Sequence, residues 1–461
     1  MVRFGTEQQQ QGCPGTSPLI GALLMKRSLV IVFTVLLALA CSAFSQAPYD
    51  LLLRGGHVID AKNKVDAIRD VAIRDGKIAA VAPHIPIAEA RKAIDVSGLY
   101  VTPGLVDIHV HAYAGTGMHD AYSGDHSIYP DGFTFRSGVT TVVDAGSSGW
   151  RNFPDFKERV IDHSRTRVLA MLNIVGHGMG GGGIEQNLDD MDAKATAEVA
   201  GKYKDVVVGI KTAHYDGPEW TPVERAVEAG TLAKIPVMVD FGTFRPERPF
   251  QDLVLKKLRH GDIYTHTFLD AVPMLDANGR VLPYLFEAKK RGVIFDVGHG
   301  GGSFLFRQAV PAIHQGFHPD SISTDLHIDS MNSGMKDMLN VMSKFLNMGL
   351  PLDDVVARST FHPAREIQRE DLGTLSVGAP ADVAVLRLEK GSFGFVDVFG
   401  ARLEGSLRLI CELTVRNGLV VYDLNGISRT DWSKLGKYRP QGDATWDGTI
   451  SSGLRAEEKK K

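Results

Sequence analysis

Ionisable side chains recur in this chain directly behind short apolar runs. His109 and His111 follow Leu105–Ile108, Asp144 follows Thr140–Val143, and His177 comes shortly after Val168–Ile174. Lys211 then follows Val206–Ile210, Asp240 follows Pro236–Val239, His266 follows Ile263–Thr265, Asp296 and His299 follow Val293–Phe295, and Asp325 follows Ile322–Thr324. The His-x-His pair is the most informative of these. Side chains on a strand repeat every two residues, so both imidazoles project to one side and can reach one ion. In an enclosed mouth unpaired charge is costly to desolvate, and a bound cation neutralises it. The pattern, with further His and Asp residues at the later strand ends, therefore points to a metal centre.

Such residues can meet only if the runs that carry them are brought side by side. The eight runs between Pro103 and His362 alternate with helix-compatible segments, the order of parallel strands joined by crossover helices. Eight β/α units in about 250 residues make a TIM barrel, whose functional groups sit at the C-terminal strand ends. The expected fold is thus α/β, a (β/α)8 barrel. Outside it the pattern changes to alternating strands with tight turns. Asp75-Gly76 separates Val71–Ile73 from Ile78–Val81, and Asn417-Gly418 interrupts Leu413–Tyr422. Neither end has enough strands for a core of its own, so the two are expected to pair as one composite β-sandwich module. The resulting division is 1–45 leader, 46–102 first part of the β module, 103–364 barrel, 365–430 second part of the β module, and 431–461 tail.

Composition restricts the function classes. Lys and Arg total 51 against 54 Asp and Glu, which gives no basic field for nucleic acid. A small-molecule substrate is the expected partner, and a homo-oligomer is compatible with the sequence. At the start, Lys26-Arg27 precedes the apolar run Leu29–Ala40 and the small residues around Ala43-Phe44-Ser45, as in a secretory signal peptide cut after Ser45. The run is short for a bilayer span, so no stable membrane span is expected after its removal, and the protein is expected to be exported, periplasmic or secreted. Met25 offers an alternative start, and Cys41 an alternative, lipid-anchored fate. Removal of the leader takes Cys13 and Cys41 with it, leaving Cys411 as a buried apolar thiol that cannot form an internal disulfide.

The segment Val101-Thr102-Pro103-Gly104-Leu105-Val106-Asp107-Ile108-His109-Val110-His111 resembles the opening motif of the amidohydrolase superfamily, with its dihydroorotase and D-aminoacylase relatives. Gly138–Gly146 and Gly378–Asp382 are similar to further segments of that family. Gly209-Ile210-Lys211, Asp296–Phe304 and Ser323-Thr324-Asp325-Leu326-His327 resemble its amidohydrolase/deacetylase branch. The resemblance implies that His109, His111 and Asp325 hold one metal, that His266 holds a second, and that Lys211 bridges them as a CO2-derived carbamate. It implies two Zn2+ per chain, with other divalent metals able to serve, and hydrolysis of an amide or acyl ester by metal-activated water with Asp325 as general acid/base.

One position departs from the family. Where the fifth strand usually ends in histidine, this chain has Asp240, which can take the ligand role; alternatives are that His299 swings in or that the second site is weak. His299, in the Gly298–Gly302 loop, is otherwise a substrate contact. His177, His214 and His327 are candidates to line the pocket, Met179–Gly183 is a candidate lid, and Met335–Leu346 has the spacing of a core-packing helix. The alternatives to a deacetylase are a dihydroorotase-like cyclic amidase and a barrel that binds a ligand without turning it over.

Overall fold

The computed structural model describes residues 47–435, apart from residue 242. The leader, Met25, Cys13, Cys41 and the tail beyond residue 435 lie outside the described residues.

The β module is one eight-stranded sheet. Its strands are β1 (Tyr49–Asp60), β2 (Val65–Arg74), β3 (Lys77–Ala82), β4 (Ala90–Asp95) and β5 (Tyr100–Pro103) from the first part of the chain. The later strands β13 (Val383–Val396), β14 (Arg402–Arg416) and β15 (Leu419–Asp423) complete it. The order is β15-β14-β13-β5-β1-β2-β3, with β4 beside β1. The seam is β5 against β13, antiparallel, with Val101 opposite Val385 and Pro103 opposite Val383. Leu51, Leu53, Val71 and Ile73 from one end of the chain and Val383, Val385, Leu413 and Val415 from the other form one buried cluster. Both predicted hairpin turns have positive φ at both central residues, 51° and 71° at Asp75-Gly76 and 52° and 80° at Asn417-Gly418. That backbone matches the twist of the flanking strands.

The barrel has seven parallel strands in chain order: β6 (Leu105–Val110), β7 (Val139–Gly149), β8 (Arg167–Asn173), β9 (Val207–Ala213), β10 (Val237–Asp240), β11 (Ile263–Tyr264) and β12 (Ile294–Phe295). The eighth run, expected as a strand over Ile322–Thr324, is an irregular segment that nevertheless closes the cylinder. Asp296 bridges Ser321 on one side and Val110 bridges Leu326 on the other, both parallel. Val297 N donates to Ser321 O and His111 N to Leu326 O. Asp325, at φ 50°, breaks the regular ladder there, and left-handed backbone at a non-glycine residue is held only where the surroundings enforce it. Strand β9 also runs further than its apolar run, so that Lys211 lies inside it instead of behind it.

Val106, Ile108, Val143, Leu169, Met171 and Met238 fill the barrel floor against Ala364 and Ile367. Burial of each such side chain contributes about 1.5–3 kcal/mol. The helix Met338–Asn347 buries Met338, Leu339, Met342, Phe345 and Leu346, as its spacing predicts, and buries Lys344 with them. The β13–β14 hairpin reaches across to it, with Leu409 N on Ser343 Oγ and Asn347 Nδ2 on Leu407 O. Cys411 is buried, and burial pushes its thiol up to about 12. Among the described residues no helix is long and apolar enough to cross a membrane.

Candidate metal centre

The barrel brings His109, His111, Lys211, Asp240, His266 and Asp325 to one mouth. Each is at most 6% exposed. Strand β6 carries His109 and the residue after it is His111; β9 carries Lys211; Asp240 ends β10; His266 lies just beyond β11; Asp325 lies in the closing segment. Lys211 Nζ is 3.1 Å from His109 Nε2 and 3.2 Å from Asp240 Oδ2. His266 Nε2 is 3.2 Å from the same Asp240 oxygen. Asp325 Oδ1 is 3.1 Å from His111 Nε2 and 3.6 Å from His109 Nε2. Two overlapping sets of ligand atoms result, His109/His111/Asp325 and His109/Asp240/His266, each with its atoms within 4.8 Å of one another. Lys211 sits where the two sets join.

This donor set fits divalent cations. Asp325 Oδ1 is buried without a hydrogen bond, a costly state for a carboxylate oxygen that a cation relieves. Each imidazole is held by its other nitrogen: His109 Nδ1 by Thr265 Oγ1 at 2.9 Å, His111 Nδ1 by Ser147 Oγ at 2.9 Å, and His266 Nδ1 by the Gly298 carbonyl at 2.6 Å. A carbonyl only accepts, so His266 carries a proton on Nδ1 while its Nε2 faces Asp240. Burial opposes a second proton on that ring, but Asp240 raises its pKa to about 9, and a cation would take the place of the proton on Nε2. Burial, reinforced by Lys211, holds His109 well below the usual imidazole range. Burial opposes the charge on Asp240, but His266 and Lys211 overcome it and keep that carboxyl well below its usual range. For Asp325 the same contest is won by His109 and His327, and its pKa is lowered. The centre therefore presents ionised carboxylates and an imidazole lone pair to whatever lies between them.

Behind these ligands stands a layer of buried carboxyls. Asp296 accepts hydroxyl hydrogen bonds from Thr265 (2.8 Å), Ser321 (2.7 Å) and Ser323 (2.6 Å), so that Thr265 links it to His109. Asp144 accepts from Ala112 N and Ser147 N, each at 2.8 Å, fixing the turn that carries His111. Asp107 accepts from Thr324 N at 3.1 Å beside Asp325; burial pushes it up to about 7. Two glycines make room for this packing. A Cβ on Gly146, at φ 88°, would lie 2.6 Å from Lys211 Cβ, and one on Gly298, at φ 46°, would lie 2.2 Å from Thr265 Oγ1. Thr265→Val keeps the shape but strands the His109 Nδ1–H, and is expected to weaken metal affinity by about 10–100-fold. Chelator competition measures this; unchanged affinity would show that the hydroxyl does not orient the ring.

The centre opens into a cavity of about 390 Å³ lined by His111, Tyr122, His214, His266, Asp325 and His327 among others. Tyr122, which the residue pattern does not single out, packs on His111 with ring centroids 4.3 Å apart. His214 pairs with Glu185 at 2.8 Å; burial works against its charge, but Glu185 and Asp240 raise its pKa. His327 is lowered by burial. His177 lies apart, half-exposed on Asp190. The structure does not place His299 against the cavity as expected. Its ring is fully buried, stacked on Phe304 at 4.5 Å, with Nε2 2.6 Å from Lys344 Nζ. That packing also keeps it out of the second set of ligands, where Asp240 stands. Another cavity, of about 340 Å³, behind β6 near Phe133, Val139 and Met338, contains none of the six residues.

A closed parallel barrel with inward imidazoles, two carboxylates and a buried lysine at the C-terminal strand ends defines a metal-dependent hydrolase. The amidohydrolase family model matches residues 306–418. A deacetylase of Agrobacterium fabrum is 36% identical over 323 residues, which is 68% of this chain and 77% of that protein. The chain belongs to the amidohydrolase superfamily. Among solved structures it is similar to an adenine deaminase, with a TM-score of 0.75 and 29% identity over 82% of this chain and all of that one. It is likewise similar to a dihydroorotase, with a TM-score of 0.69 and 30% identity over 81% of this chain and 99% of that one.

Proposed function

We propose that this protein is an exported deacetylase that hydrolyses an amide or acyl ester of a small molecule with the aid of two divalent cations, zinc first among them. The observation that carries this reading is the convergence of six buried ligand-type side chains, with the join between their two sets occupied by Lys211. Similarity to a named deacetylase over most of both chains supports it. Export rests on the Lys26-Arg27 leader alone.

His109, His111 and Asp325 would hold one cation and His266 with Asp240 the other, with Lys211 bridging them once CO2 has added to its amine. When bound, the cations supply Lewis acidity toward the carbonyl and acidify water. Asp325 would take the proton of the attacking water and return it to the leaving nitrogen or oxygen. Buried hydroxyls and the Gly298 carbonyl keep the imidazoles in register. A hydrolysis screen of N-acetyl and O-acetyl compounds, with and without chelator, tests the reading. Chelator-sensitive release of acetate is expected. A metal-loaded protein inert to the whole panel yet binding a ligand tightly would instead indicate a non-catalytic barrel.

A further inference from the structure

The short helix Phe361–Glu366 packs under the barrel floor and ends on a carboxylic side chain. Glu366 is 6% exposed, and neither of its carboxyl oxygens has a hydrogen bond. An ionised carboxylate in that state loses its hydration and gains no donor. Burial, and after it the charges of Asp320 and Asp296, push its pKa up to about 8, while the Ser321 hydroxyl and Arg365 pull the other way. Lys289, which also lies in its field, is committed to Asp320 Oδ2 at 2.7 Å and to the His318 carbonyl at 2.9 Å.

Hydrogen counting decides how Glu366 can meet Ser321. The Ser321 hydroxyl has one hydrogen, and it is directed at Asp296 Oδ1, 2.7 Å away. Only the oxygen lone pairs of Ser321 are left, so Glu366 can engage it only as a donor, which requires the protonated carboxyl. Asp296 is the opposite case. It accepts from Thr265, Ser321 and Ser323 and is satisfied as a carboxylate. The location of the proton matters to a metal ligand. Were it on Asp296 Oδ2 and shared with Thr265, the Asp296–Thr265 bond would reverse and the Thr265 hydrogen would turn to His109 Nδ1. The ring proton would then be forced onto Nε2, the atom that faces Lys211 and Asp325. We propose that Glu366 is a positioning residue for the metal centre: it holds the proton of the Glu366–Asp296 pair, donates it to Ser321 Oγ, and so keeps Asp296 an acceptor and His109 protonated on Nδ1. This role rests on the metal-centre reading and is independent of which acyl group is cleaved.

Three measurements on the full chain test it. In the metal-free wild type at about pH 6.5, infrared spectroscopy is expected to show a protonated-carboxyl C=O band that is absent from Glu366→Gln and fades as pH rises through about 8. Because the folded pKa of Glu366 stands above its unfolded value, stability is lost as pH rises between the two. The Tm of Glu366→Gln relative to wild type is therefore expected to climb by a few degrees from about pH 5 to about pH 9. In chelator competition for zinc, Glu366→Gln, whose amide N–H still donates to Ser321, is expected to match wild type within about twofold, whereas Glu366→Leu, which fills the space without a donor, loses on the order of tenfold. No band attributable to Glu366, or equal zinc affinity in the Gln and Leu variants, overturns the proposal. If Glu366→Leu does not fold, the band and the Tm difference in Glu366→Gln decide. A wild-type chain that retains no zinc contradicts the metal centre, and the same two readouts still decide where the proton sits.

Discussion

Lys211→Ala is expected to lower turnover by about a thousandfold or more and to reduce metal content below two ions per chain. The size of the effect follows from position. Lys211 is fully buried in β9, with its amine between His109 Nε2 and Asp240 Oδ2 and the Met238 sulfur 3.7 Å away. In the proposed bridging role it would contribute to both cations at once, so its loss would not be confined to one site. A purely structural lysine would behave differently: Lys211→Met, which keeps the apolar stem, would then retain activity and metal. On the bridging account Lys211→Met is as inactive as Lys211→Ala. Only the alanine variant, which leaves room for a small carboxylate, regains part of its activity in added formate or acetate.

Asp325→Asn is the second large effect, with kcat expected to fall by about 10²–10⁴-fold, the range general acid/base groups contribute. The amide has the size of the carboxyl and can still approach His109 and His111, but it cannot take up a proton. The loss should therefore appear in kcat far more than in KM. Pre-steady-state and steady-state acetate release measure it. An Asp325→Asn protein with near-normal kcat would remove the proton-transfer role while leaving the ligand role open to metal analysis.

Much of this arrangement is legible from residue types because two local rules are strong. Period-two projection on a strand makes His109 and His111 a pair wherever the strand lies, and positive-φ turns at Asp75-Gly76 and Asn417-Gly418 need no tertiary information. Lys211 and Asp240 are legible for a related reason: both stand at the end of an apolar run.

What escaped depends on backbone departures and on contacts distant in sequence. Tyr122 lies in the irregular stretch between β6 and β7, where no period predicts which side chain turns inward. His299 stands between two left-handed glycines, Gly298 and Gly300, which swing the chain so that the ring meets Phe304 and Lys344 and not the cavity. Lys344 was itself the available signal, since it interrupts the apolar positions of a helix that is otherwise buried. The eighth run fails as a strand because Asp325 adopts the left-handed conformation, a choice made by the closed barrel and invisible in a window of neighbouring residues.

The central claim, two cations held among six side chains, is most directly tested by metal analysis of the purified wild-type chain after titration with zinc and removal of excess. Two ions retained per chain is the predicted result. A plateau at one, unchanged by further zinc, or at none, would contradict the account.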